Sequence, residues 1–149
     1  MSKEWLLDVN VLLAWLWPSH EAHKTASGWM HEHRQETWAT CPLTEIGFLR
    51  IVTNRSFSPH APAWAEAVGI LRKHTVGSPT HCFWPDSLTS GELDLMLGNR
   101  IKGPGQIPDA YLLALAMHHH GRVVTFDSRM EALAPEGSAE LEALVVLRV

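Results

Sequence analysis

Five short apolar segments, spaced with room for helices between them, constrain this chain more than any other feature. Trp5-Leu6-Leu7 is closed by Asp8, and Trp38 to Leu43, His81 to Trp84, Arg122 to Phe126 and Leu144 to Val149 complete the set. Each is too short for a globular helix and runs apolar with little alternation, the pattern of a strand buried on both faces. The intervals have a different period. Asn10 is a good N-cap for a helix that Pro18 stops. Within His20 to Glu36, Ala22, Ala26, Trp29, Met30 and His33 recur every three or four residues, and Leu43 to Val52 and Ala63 to His74 carry on the alternation. Thr89 and Glu92 have capping-box spacing for a helix through Leu97. Gly98 to Pro108, with three glycines and two prolines, reads as the most flexible piece. Asp109 is expected to open a central helix over Ala110 to Met117, and Ser128 with Glu131 suggests a second capping box.

Strands alternating with helices predict an α/β fold, a mainly parallel central sheet of about five strands flanked by helices and joined by right-handed crossovers. With 149 residues and no linker, residues 1–149 are expected to form a single domain. A hydrophobic fraction of 46% argues against disorder, and no apolar run approaches the roughly 18–20 residues of a membrane span. The short apolar run after Lys3 soon reaches Asp8 and Asn10, unlike a signal peptide, so a cytoplasmic location is expected. Cys41 and Cys82 both fall in predicted core strands and read as reduced thiols. Twelve Lys and Arg against sixteen Asp and Glu leave a net charge of −4, so bulk charge alone does not attract a polyphosphate.

In open parallel sheets the ligand site lies beyond the carboxyl ends of the strands. Four acids meet that rule. Asp8 and Asp127 end strands, Asp109 opens the central helix, and Glu45 sits about one turn into the helix after the second strand. Taken singly, an Asp at a helix start is often a cap. Glu45 is harder to explain so, standing beside Ile46, Phe48 and Leu49. Carboxylates gathered at one edge repel one another unless a cation holds them, and an all-oxygen set suits Mg²⁺ or Mn²⁺ rather than zinc. Such a site can activate water against a phosphodiester without a side-chain nucleophile.

The blocks Leu6-Leu7-Asp8-Val9-Asn10-Val11-Leu12-Leu13, Thr44-Glu45-Ile46-Gly47-Phe48-Leu49-Arg50, Pro108-Asp109-Ala110-Tyr111-Leu112-Leu113-Ala114-Leu115-Ala116 and Thr125-Phe126-Asp127 resemble, in order, those of PIN-domain proteins, specifically the VapC-type ribonuclease toxins of bacterial toxin–antitoxin pairs. The resemblance implies a PIN-like fold and a metal-dependent endoribonuclease in which Asp8, Glu45, Asp109 and Asp127 are catalytic and bind Mg²⁺ or Mn²⁺, with one or two cations. It implies that Asn10 and Thr125 support the metal shell. It further implies tRNA or rRNA as substrate, a cognate VapB-type antitoxin and a homodimer, with no membrane partner. The glycine-rich Gly98 to Pro108 loop, with Pro108 where a small hydroxyl residue is common, departs from the pattern.

Arg50 and Arg55, near Glu45, and Arg100 and Lys102, in the loop, are the candidates for phosphate contacts. Seven tryptophans stand against one tyrosine, and Trp15, Trp29 and Trp64 are read as core or protein-contact residues rather than stacking platforms for RNA bases. Zinc ligation by the ten histidines is the weaker reading, because no helix-plus-Glu or Cys/His pattern completes it. Two rivals remain: a non-catalytic PIN-like module binding RNA or protein, and a haloacid-dehalogenase-like phosphatase suggested by Asp8-Val9-Asn10. The second needs an acid where Asn10 stands.

Overall fold

The structure, a computed structural model, describes residues 4–149, so Lys3 and the two residues before it in the expected 1–149 domain lie outside the described residues. Among the described residues are five strands: β1 (Trp5–Leu7), β2 (Trp38–Thr40), β3 (His81–Phe83), β4 (Arg122–Thr125) and β5 (Leu144–Val146). They pair in parallel in the order β3-β2-β1-β4-β5. The α-helices are α1 (Val9–Leu16), α2 (His23–Glu32), α3 (Pro42–Val52), α4 (Trp64–Thr75), α5 (Ser90–Leu97) and α6 (Ile107–His118).

Adjacent strand residues feed opposite faces, as the two-residue period requires. Leu7 and Val124 pack with Val11, Leu12, Phe48 and Leu71 of α1, α3 and α4. Leu6 and Val123 face the other way, onto Leu97, Leu113 and Leu115 of α5 and α6. The sheet is therefore a middle layer between two helical ones, which is why its strands run apolar without interruption. In α6, Leu112 to Ala116 are all buried. Removing a single Leu side chain of this kind from water contributes about 1.5–3 kcal/mol.

Several boundaries differ from expectation for identifiable reasons. Asp8, not Asn10, caps α1: its side chain accepts from the Val9 amide, so the helix starts one residue after the strand ends. β2 stops at Thr40 because Pro42 takes the first turn of α3, where a missing N–H costs nothing. α2 is shorter than His20 to Glu36. The Thr89–Glu92 capping box forms as expected. Gly98 to Pro108 is not open loop: two single-turn 3₁₀ segments, Gly98–Arg100 and Pro104–Gln106, occupy it, and α6 begins at Ile107 rather than Asp109. The Ser128–Glu131 box is replaced by a 3₁₀ helix (Ser128–Leu133) capped by Asp127. β5 ends at Val146. Trp64 is 63% exposed and so is no core residue, whereas Trp15 and Trp29 are partly buried against it. Cys41 is buried at the N-cap of α3 and Cys82 is half-buried on β3, both as free thiols.

Candidate active site

The chain leaves β1 toward β2 and β3 and then returns to β4 on the opposite side, so the order reverses between β1 and β4. Ligands of open α/β sheets bind in the crevice at such a reversal. Asp8 follows β1 and Asp127 lies just beyond β4, on either side of that crevice.

The crevice is held by one hydroxyl. Thr125, fully buried at the end of β4, donates through Oγ1 to Asp8 Oδ2 at 2.7 Å. The same oxygen accepts from Asn10 Nδ2 at 3.1 Å and from the Asp127 amide at 3.0 Å. One proton and two lone pairs are all used. Asn10 completes the tie by accepting the Phe126 amide at 3.0 Å.

Asp8 is only 8% exposed. Burial pushes its carboxyl above the ordinary range, against the Thr125 and Val9 donors, and the charge of Asp127 adds to the rise. Asp109 stands in the first turn of α6, half-buried, and burial together with the charges of Asp8 and Asp127 pushes it up to about 6. The three aspartates therefore share one edge closely enough to repel one another. Among the described residues, no three acids, histidines or cysteines are already gathered into a closed metal shell.

Asp127 is held differently. The Arg129 amide reaches Asp127 Oδ1 at 3.0 Å, and the guanidinium grips both oxygens, with Nε to Oδ1 at 2.9 Å and Nη2 to Oδ2 at 2.8 Å. This grip draws the Asp127 carboxyl below its ordinary range. Arg129 is 88% exposed, so the pair is a solvated clamp of modest strength. If Asp127 is a metal ligand, Arg129→Ala is expected to free it and tighten Mn²⁺ binding by no more than about fivefold, as suits a solvated pair. Isothermal titration with Mn²⁺ measures this, and unchanged or weaker binding would refute a competitive role for Arg129.

Glu45 lies in the first turn of α3 and accepts from Thr40 Oγ1 at 2.6 Å. Thr40 Oγ1 in turn lies 2.8 Å from His81 Nε2, so that nitrogen carries the proton and the order runs His81 to Thr40 to Glu45. Burial lowers the His81 pKa, and Glu45 opposes the shift. Gly47 allows α3 to close on α1, because a Cβ there would lie 2.6 Å from Val9 Cγ2, beside Asp8.

Of the four basic residues expected at phosphates, Lys102 lines an open cleft of about 730 Å³ beside Asp109, together with Gln106 and Arg129. Arg100 points elsewhere, paired with Glu140 at 2.8 Å and with the Leu133 carbonyl. Arg50 and Arg55 are exposed on α3 and the turn after it. Sequence reasoning missed Thr40, His81 and Arg129. A threonine ending an apolar strand, like Thr125, was the available signal for the first.

A PIN-domain family model matches residues 5–135. The chain is 37% identical to Ribonuclease VapC39 of Mycobacterium tuberculosis over 91% of its own length and 97% of that protein. It is 39% identical to Ribonuclease VapC38 of the same organism, covering 95% of this chain and 99% of the relative. The fold is similar to that in the crystal structure of VapBC2 from Rickettsia felis bound to a promoter DNA fragment, with a TM-score of 0.61, 13% identity, and 97% and 99% of the two chains covered.

Proposed function

This chain belongs to the PIN-domain family and within it to the VapC ribonucleases, and from that premise we propose that it is a metal-dependent endoribonuclease, the toxin of a type II toxin–antitoxin pair. The observation that carries the reading is three aspartates crowded at one sheet edge with, among the described residues, a single solvent-exposed guanidinium, that of Arg129, to offset them. Asp8 and Asp109 both titrate above their ordinary range because each is desolvated beside further carboxylates. A divalent cation relieves that repulsion, and the hard oxygen donors fit Mg²⁺, with Mn²⁺ an acceptable substitute.

Asp8, Asp109 and Asp127, with Glu45, are the residues that would hold it. When bound, such a cation supplies the charge that lowers the pKa of an attacking water and stabilises a leaving phosphodiester oxygen. The protein's own groups do the positioning. Thr125 fixes the rotamer of Asp8, with Asn10 supporting it, and Thr40 with His81 fixes Glu45. Lys102 and Arg129 flank the cleft beside Asp109, where they suit the RNA backbone.

The substrate class is a structured RNA such as tRNA or rRNA. The partner is a VapB-type antitoxin, the toxin is a homodimer of single PIN domains, and the pair works in the cytoplasm. Among the described residues no helix is long and apolar enough to cross a membrane.

Cleavage of an RNA pool should be lost with EDTA and restored by Mg²⁺ or Mn²⁺; metal-independent cleavage, or none under any condition, would refute the proposal. The pH dependence has a definite sign. In metal-free protein the raised Asp109 pKa stabilises the fold below the unfolded value of 3.8, and that contribution is lost as pH rises through about 6. Metal needs the ionised form, so the thermal stabilisation by Mn²⁺ should grow over the same interval.

A further inference from the structure

At the other end of the sheet from these carboxylates, the amino ends of β1 and β2 and the last turns of α2 and α4 enclose a second cavity of about 300 Å³. That is the lower end of small-ligand pockets. Its walls are tryptophans. Trp5 meets Trp29 edge to face at 5.2 Å, and Trp15 meets Trp38 likewise at 5.1 Å. His33 is stacked on Trp29 at 4.0 Å, and His74 abuts Trp15. Four of the seven tryptophans are thus spent on one hollow instead of closing it.

The polar side chains around these walls are two cations, Lys73 and Arg34, with the neutral donor-acceptors His33, His74, Ser78 and Thr80. Lys73 and Arg34 line the cavity and are exposed, and among the described residues neither forms an ion pair. The indole N–H groups of Trp15, Trp29 and Trp38 donate to no acceptor among the described residues, while that of Trp5 is taken by Glu36 at 3.0 Å. No carboxylate lines the cavity. Flat π-faces, free donors and two uncompensated cations fit a planar, acceptor-rich anion.

We propose that this cavity is a nucleotide-binding site distinct from the carboxylate crevice, in which a nucleobase stacks on the tryptophan walls and its phosphate is held by Lys73 and Arg34. Stacking on aromatic faces tolerates any base, so the site is unselective among the four. Its nucleotide comes either from the free pool or from an unpaired position of an RNA strand.

Titration of intrinsic tryptophan fluorescence with the four ribonucleoside 5′-monophosphates tests it. EDTA and the background substitution Asp109→Asn keep binding at the carboxylates apart from binding here, so the outcome does not depend on ribonuclease activity. Saturable quenching with a Kd of about 1 mM or tighter is expected. Lys73→Glu combined with Arg34→Glu, both exposed and with folding checked by circular dichroism, should weaken it at least about tenfold. Absence of saturation up to about 10 mM, equal quenching in the charge-reversed protein, or equal quenching by ribose 5-phosphate would each overturn the assignment. A single-stranded hexaribonucleotide identifies the source: tighter binding than the mononucleotide means an RNA strand, and equal or weaker binding means the free pool.

Discussion

Asp8→Asn is expected to reduce RNA cleavage by about 10³-fold or more while leaving the metal-free protein as stable as the parent or more so. The loss follows from removing one anionic oxygen from the cluster, since transition-state charge stabilisation of several kcal/mol corresponds to that factor. The stability follows from the hydrogen bonds. Asn retains an Oδ1 that can accept the Val9 amide, now at 2.7 Å. Its NH₂ can take the place on Thr125 Oγ1 that Asn10 Nδ2 occupies at 3.1 Å, and the Thr125 proton has an alternative acceptor in Asn10 Oδ1 at 3.4 Å. The buried charge that raises the Asp8 pKa disappears, and with it a repulsion toward Asp109. Differential scanning fluorimetry without metal, beside an RNA cleavage assay with it, separates the two effects. Retained cleavage would remove Asp8 from the catalytic set, and a fall of several degrees in Tm would mean its role is structural.

Thr125→Val is expected to damage fold and activity together. Valine fills the same volume but leaves the Asp127 amide, the Asn10 amide group and Asp8 Oδ2 without the oxygen that serves all three. Unpaired buried polar groups cost about 1–3 kcal/mol. Asp8 loses a donor that lowers its pKa, so it becomes harder to ionise, and groups that orient metal ligands are typically worth about 10–100-fold in metal affinity. Thr125→Ser keeps the hydroxyl and should restore most of the metal affinity, though a lost methyl still costs some stability. Metal titration and chemical denaturation of both variants measure this. Equal affinity for valine and serine variants would show that the hydroxyl does not position Asp8.

The layout of these residues was readable where burial leaves a mark in the sequence. Leu6-Leu7 and Val123-Val124 are apolar on consecutive positions because the sheet is covered on both faces, and the acids that end those runs stand out. Glu45 was readable for the same reason, as a charge in apolar surroundings. What escaped depends on register between distant strands. His81 opens β3 and Thr40 closes β2, and nothing local says that their side chains meet. Asn10 reads as a cap from its residue type, but Asp8, which directly follows the strand, takes the Val9 amide and starts the helix one residue earlier. Arg129 was hidden behind a plausible capping box at Ser128, which the guanidinium grip on Asp127 displaces. The RNA, antitoxin and dimer came from the resemblance, since surfaces that serve partners carry no periodic signature.

The bond from Thr125 to Asp8 joins residues 117 apart in the chain. Chains emerge from the ribosome amino end first, and contacts of such long range form late. Until β4 has been made and has slipped in beside β1, Asp8 has neither its hydroxyl donor nor its opposing aspartate. A nascent or prematurely terminated chain that lacks β4 therefore lacks the assembled crevice. The order of the strands makes the crevice one of the last parts of the fold to be completed.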